Sequence, residues 1–265
     1  LMDVLRETVF ETKKVRGAER IIINLKNKVD VSYVTFSGKK EAPPATGSPV
    51  VEVDVPEGYR DPAPFAFQKG DTVAILGNGL ADRMQHDGWT ETLLQSELKG
   101  QEVSFRNMSL SGDRPNQYPR SKGFTPMGQY LQHVKADVVF AMFGYNESFS
   151  GKQAAESHKK LLIDFVSKIR SYKPNGKDFP RIVLFSPIAF EDLKDRNLPR
   201  GKAHNKNLSA FSKATQEAAR EAGVAYVDLY GPTLKLYEQS KEALTLNGVH
   251  LNELGNKKVG EIITQ

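Results

Sequence analysis

The chain predicts an α/β protein: a three-layer sandwich on a parallel sheet, preceded by a small β-rich unit. Two observations lead there. From Asp71 onward, strand-like apolar runs alternate with amphipathic segments of helical length, and strands separated by helices imply right-handed crossovers and a sheet covered on both faces. Before that point the apolar runs are short, β-branched and separated by Lys, Asn, Gly and Pro, the pattern of strands and turns. A boundary near Ala66 to Lys69 divides the chain into residues 1–68, the β-rich unit, and residues 69–265, the α/β domain.

In the first unit the expected strands are Ile21 to Leu25, Val31 to Phe36 and Val50 to Val55. The stretch Glu41 to Pro49, with three prolines, reads as a loop between them. In the second, strands are expected at Thr72 to Leu76, Val103 to Asn107, Val138 to Phe143, Arg181 to Ser186 and Ala225 to Leu229. Between them Leu80, Met84, Leu93 and Leu94 recur at near-helical spacing, as do Leu161 to Ile169 and then Leu208, Phe211, Ala218, Ala219 and Ala222.

Composition narrows the function. The 265 residues, 39% hydrophobic and 26% charged, describe an ordinary globular protein. The most apolar stretch, Ala136 to Phe143, is strand-sized and contains Asp137, so no membrane insertion is expected. With no cysteine there is no disulfide, no thiolate metal site and no cysteine nucleophile. The net charge of +5 gathers in no basic block, and residues 1–68 carry ten charges of each sign. Nucleic acid is therefore not an expected partner, whereas an acidic polysaccharide is compatible. Leu1-Met2-Asp3 does not resemble a leader, so a mature or excised segment is expected.

In an open parallel sheet, ligands lie beyond the carboxyl ends of the strands. There stand Gly77-Asn78-Gly79-Leu80, then Asn107-Met108-Ser109-Leu110-Ser111-Gly112-Asp113, then Gly144-Tyr145-Asn146-Glu147-Ser148. Ahead of the last helix comes Asn247-Gly248-Val249-His250-Leu251-Asn252-Glu253.

These four segments, in this order, resemble the consensus blocks of the SGNH (GDSL-type) hydrolase superfamily over roughly Asp71 to Ile263. The resemblance implies a flavodoxin-like three-layer α/β/α fold and acyl-ester chemistry. It places Gly112, Asn146 and His250 where the family has its glycine, asparagine and histidine. It also places Gly79 at the nucleophilic serine, Asn247 at the triad aspartate and Asn78 at the aspartate of the first block. Glycine has no atom to attack an acyl carbon. Asparagine cannot stabilise an imidazolium as a carboxylate does, and in serine proteases that change lowers turnover about 10⁴-fold. What the resemblance leaves is an oxyanion-hole pocket of Gly79, Gly112 and Asn146 beside His250, with Asn78, Asn247, Tyr145, Glu147 and Ser111 around it.

The runs Gly77 to Trp89, Phe143 to Phe149, Leu184 to Ala189 and Leu246 to Glu253 are further similar to SGNH-like domains of large exported bacterial proteins that carry c-type haem modules. That similarity implies a periplasmic or secreted location and neighbouring domains. No Cys-x-x-Cys-His motif occurs here, and no cofactor is expected.

Plainer readings stand beside these. Gly77 and Gly79 could serve a tight turn, Asn146 could cap a helix starting near Ser150, and His250 could tie down a loop. Asp82 and His86 share a helix face but have no third ligand, so no metal is expected. Trp89 and Tyr145 could stack on a sugar, although Trp89 continues an apolar helix face. Ser109, Ser111, Ser148 or Tyr145 could replace the nucleophile, and Asp113, Glu147 or Glu191 could activate water. Three functions follow as expectations: a noncatalytic domain binding a glycan or a small acyl or anionic ligand, an atypical esterase, or an interaction scaffold.

Overall fold

The computed structural model describes residues 9–15, 18–24, 50–121 and 123–265. The chain divides into two compact units, residues 1–42 and 43–265. In the first, β1 (Val9–Val15) and β2 (Ala18–Asn24) pair antiparallel, with Val9 opposite Asn24 and Val15 opposite Ala18. The run Val31 to Phe36 lies outside the described residues.

The second unit holds five parallel strands in the order β4-β3-β5-β6-β7: β3 (Thr72–Gly77), β4 (Ser104–Asn107), β5 (Val138–Met142), β6 (Arg181–Phe185) and β7 (Ala225–Val227). The helices are α1 (Gly79–Asp87), α2 (Trp89–Glu97), α3 (Met127–Val134), α4 (Tyr145–Ser148), α5 (Ala155–Ser171), α6 (Gly201–Ala222), α7 (Tyr230–Gln239) and α8 (Glu253–Ile263). Successive strand residues point to opposite faces. Val73, Ile75, Phe140 and Phe185 pack with Ala81, Met84, Leu94 and Val259, whereas Ala74, Leu76, Val139 and Leu184 pack with Leu131, Phe165, Ile169 and Ala218. Both faces are thus buried, as the continuous apolar runs require of a parallel sheet. This is an α/β/α sandwich with the flavodoxin-like strand order.

Four details differ from the sequence reading. The helix expected across residues 80–94 is broken at Gly88, whose φ of 64° ends α1 and begins α2. The helix expected near Ser150 starts at Ala155, after a 3₁₀ turn over Lys152–Ala154. The run Val50 to Val55 forms no strand, because its backbone serves another element: Val53 N–H donates to the Ser171 carbonyl at the end of α5, 2.9 Å away. Residues 43–68, grouped above with the β-rich unit, fall in the larger compact unit. Arg170 pairs with Asp61 at 2.6 Å, Asp61 also accepts from Ile182 N–H at 2.7 Å, and Phe65 and Phe67 lie on Phe140. Among the described residues no helix is long and apolar enough to cross a membrane.

Candidate functional site

Strands β3 and β5 meet at the topological switch point of this strand order, where a crevice opens at their carboxyl ends. At the end of β3 the chain must turn at once into α1. A Cβ on Gly77 would stand 2.6 Å from the Met142 carbonyl oxygen and 2.8 Å from Ala81 Cβ, so only glycine fits there. Asn78 is buried and its side chain reaches Glu147 Oε2 at 3.5 Å. Gly79 opens α1, so its N–H has no acceptor within the helix. Neither close approach nor a positive φ requires glycine at position 79. Its φ lies outside the left-handed region, and the nearest atom to an added Cβ would be His250 Nε2, 3.9 Å away.

From β5, Gly144 at φ 107° turns the chain into α4. Asn146 is half-buried and caps no helix; its amide donates to the Ser111 carbonyl at 2.9 Å, leaving one N–H unused. Tyr145 is buried, and its hydroxyl has no partner among the described residues. Glu147 is turned beneath the crevice, where Oε2 accepts from Gly144 N–H at 2.8 Å. Burial raises its pKa above the usual carboxylate value. Ser111 Oγ donates to Asp82, which Gln85 also contacts.

The histidine comes from the loop before α8. Glu191, buried, anchors that loop by accepting from Leu244 N–H, Thr245 N–H and the Thr245 hydroxyl. Asn247 Oδ1 accepts from Val249 N–H at 3.2 Å and His250 N–H at 3.0 Å, which turns its amide nitrogen to within 3.1 Å of His250 Nδ1. An amide nitrogen only donates, so Nδ1 is the acceptor and the neutral ring carries its hydrogen on Nε2. Burial, and secondarily the charge of Arg83, lower the His250 pKa below its ordinary 6.5.

These elements enclose a cleft of about 70 Å³ bordered by Asn78, Gly79, Ser111, Tyr145, Asn146 and His250. Three residues expected in it are not part of its wall. Asn247 stands behind His250, Glu147 lies below, and Gly112 packs beside Pro119, whose Cγ would be 3.2 Å from an added Cβ. The sequence reading missed Arg83, Leu80, Ile188, Val249, Leu251 and Asn256, which complete the wall. Arg83 was detectable: it lies four residues after Gly79 on one helix, hence on the same face.

The substitute nucleophiles and bases are mostly engaged elsewhere. Ser109 Oγ donates to the Ile75 carbonyl, and Asp113 clasps Arg120. Ser148 lies 3.2 Å from His204 Nε2 but is fully buried and donates its proton to the Tyr145 carbonyl at 2.6 Å. Trp89 lies under Lys257, outside the cleft wall. Among the described residues no group of three or more His, Cys, Asp or Glu gathers that could hold a metal. A larger hollow of about 1270 Å³ beside α5 is bordered by Ser109 but by neither Gly79 nor His250.

No curated protein sequence matches the chain. Among solved structures, it is similar to a catalytic mutant of an acetylxylan esterase from Geobacillus stearothermophilus, at 14% identity and a TM-score of 0.56, over 74% of this chain and 94% of that one. A similar match is an α/β hydrolase from the metagenome of Lake Arreo, Spain, at 15% identity and TM-score 0.54, over 74% and 94%. The lipase/acylhydrolase of Enterococcus faecalis matches at 17% identity and TM-score 0.52, over 73% and 93%. At these identities the likeness concerns the fold. The family model of GDSL-like lipases and acylhydrolases matches residues 69–258, the stretch that carries the sheet, the Gly79 turn and His250, and the chain therefore belongs to the GDSL-like lipase/acylhydrolase family.

Proposed function

We propose that this domain binds a small acyl or anionic group, or a sugar bearing one, in the cleft between Gly79 and His250 without forming an acyl-enzyme. The observation that carries this reading is the pair of replacements facing the imidazole: a glycine opposite Nε2 and an amide nitrogen opposite Nδ1. A nucleophile needs a base with a free lone pair, and an Nε2 that carries hydrogen has none. The same argument weighs against His250 activating water. The donors that would hold a guest are the Gly79 N–H, the free N–H of Asn146 and Nε2–H of His250. The positive end of α1 adds to their pull. That one structural neighbour is an acetylxylan esterase makes an acetylated or acidic sugar a reasonable first ligand to try.

The test is ester hydrolysis and covalent trapping together. The natural chain should release no p-nitrophenol from p-nitrophenyl acetate above background and take up no fluorophosphonate, while acetylated or uronic-acid sugars shift its amide resonances. Turnover in the natural chain that disappears in His250→Ala would reverse the reading in favour of a water-activating esterase.

A further inference from the structure

We propose that the guest of this cleft is a carboxylate, held by Arg83 and by His250 acting as a hydrogen-bond donor. The inference rests on the binding reading above and narrows it to one chemical class.

The polarity of the wall is one-sided. Among the described residues no Asp or Glu borders the cleft, whereas Arg83 does. Among the described residues Arg83 makes no ion pair or hydrogen bond, and its Nε is buried without an acceptor. The surrounding acids are otherwise engaged. Asp82 is taken by Ser111 and Gln85, Asp87 accepts from Asn256 at 2.6 Å, and Glu147 is bonded beneath to Gly144. A buried donor left empty is costly, more so when charged, and a planar carboxylate matches the guanidinium fork through two parallel hydrogen bonds.

Asn247 completes the pattern. In a triad a carboxylate at this place accepts from Nδ1 and leaves Nε2 a bare lone pair, which repels an anion. Here the amide reverses the ring, and Nε2–H faces the space above Gly79. Arg83 then withholds a second proton from the ring while its own charge attracts the ligand. About 70 Å³ admits little more than the carboxylate and the carbon bearing it, with Leu80, Ile188 and Leu251 supplying apolar wall.

The probes are acetate, acetamide and sulfate, titrated into the isotope-labelled chain while the Gly79 amide and the His250 ring are followed by NMR. Acetate should saturate these signals and bind about tenfold or more tightly than its neutral isostere acetamide. Arg83→Gln, shown by its spectrum to be folded, should lose about tenfold or more in acetate affinity, and Asn247→Asp should lose at least as much. His250→Gln keeps a donor and should retain more affinity than His250→Ala. Acetamide binding as well as acetate, or acetate binding unchanged in Arg83→Gln, would overturn the carboxylate while leaving an acyl-binding cleft in place. Sulfate binding more tightly than acetate would replace the carboxylate by a tetrahedral anion. Failure of acetate, acetylated sugars and uronic acids alike would remove both readings.

Discussion

The position that a Cβ would occupy on Gly79 faces Nε2 of His250 across 3.9 Å, with no other atom nearer. A serine side chain would enter that space without displacing anything and would bring its hydroxyl toward the ring. A hydroxyl introduced there would stand beside the imidazole, the relationship a nucleophile needs with its base.

Supplying a nucleophile and a triad carboxylate together should bring ester hydrolysis. Gly79→Ser with Asn247→Asp is expected to hydrolyse p-nitrophenyl acetate and to take up one fluorophosphonate per chain. Gly79→Ser alone should fall about 10⁴-fold short of the double variant, since the Asn247 amide holds the ring in the wrong tautomer. Equal rates in the single and double variants would show that Asn247 does not set the ring.

The two glycines of the β3 to α1 turn should differ in opposite directions. Gly77→Ala forces a Cβ against the Met142 carbonyl and Ala81, and is expected to cost about 1 to 3 kcal/mol. Gly79→Ala meets open space in the first turn of a helix and should be neutral or stabilise by up to about 1 kcal/mol. Urea denaturation of the two variants beside the natural chain separates them.

His158 should make the fold acid-sensitive. Its ring is buried against Phe211 with neither nitrogen paired, and burial lowers its pKa from 6.5 to about 4. Between those values the unfolded chain binds a proton that the folded chain refuses, so stability is whole above pH 6.5 and falls as pH drops toward 4. The loss amounts to about 3 kcal/mol. His158→Leu should flatten that part of the curve in denaturation measured from pH 7 to pH 4.

The His250 ring should titrate below 6.5, first because it is buried and second because Arg83 repels its proton. Arg83→Gln is expected to raise the midpoint, and a bound carboxylate should raise it as well, since an anion stabilises the imidazolium. Ring-proton shifts followed through pH, with and without acetate, read both changes. A midpoint lowered by acetate would place the anion elsewhere.

Asp61 and Arg170 should join the segment before β3 to the sheet domain. Both side chains are almost wholly buried at 2.6 Å, and Arg170 also donates to the Ala222 carbonyl. Asp61→Ala leaves the guanidinium without its counter-ion and is expected to cost about 3 to 5 kcal/mol, read by thermal or urea unfolding.

Much of the fold was legible because a two-sided parallel sheet writes itself as uninterrupted apolar runs: Val138 to Met142 is buried at every position. Val50 to Val55 has the same composition without the outcome, since a strand exists only if a neighbour accepts its backbone, and Val53 finds α5 instead. Arg83 escaped notice because an arginine on a helix is ordinary until its partners are counted in three dimensions.

Sequence alone determined the family and the strand-end positions of Gly79, Asn146 and His250, because these are matters of residue identity and order. Tertiary structure decided which way the imidazole carries its hydrogen. Two backbone N–H groups seize the Asn247 oxygen and leave only its nitrogen to face the ring, a constraint that exists only once the loop is folded. It likewise decided that, among the described residues, the charged side chain bordering the cleft is Arg83 and that no acid there pairs with it, since burial and pairing belong to the assembled chain and not to its letters.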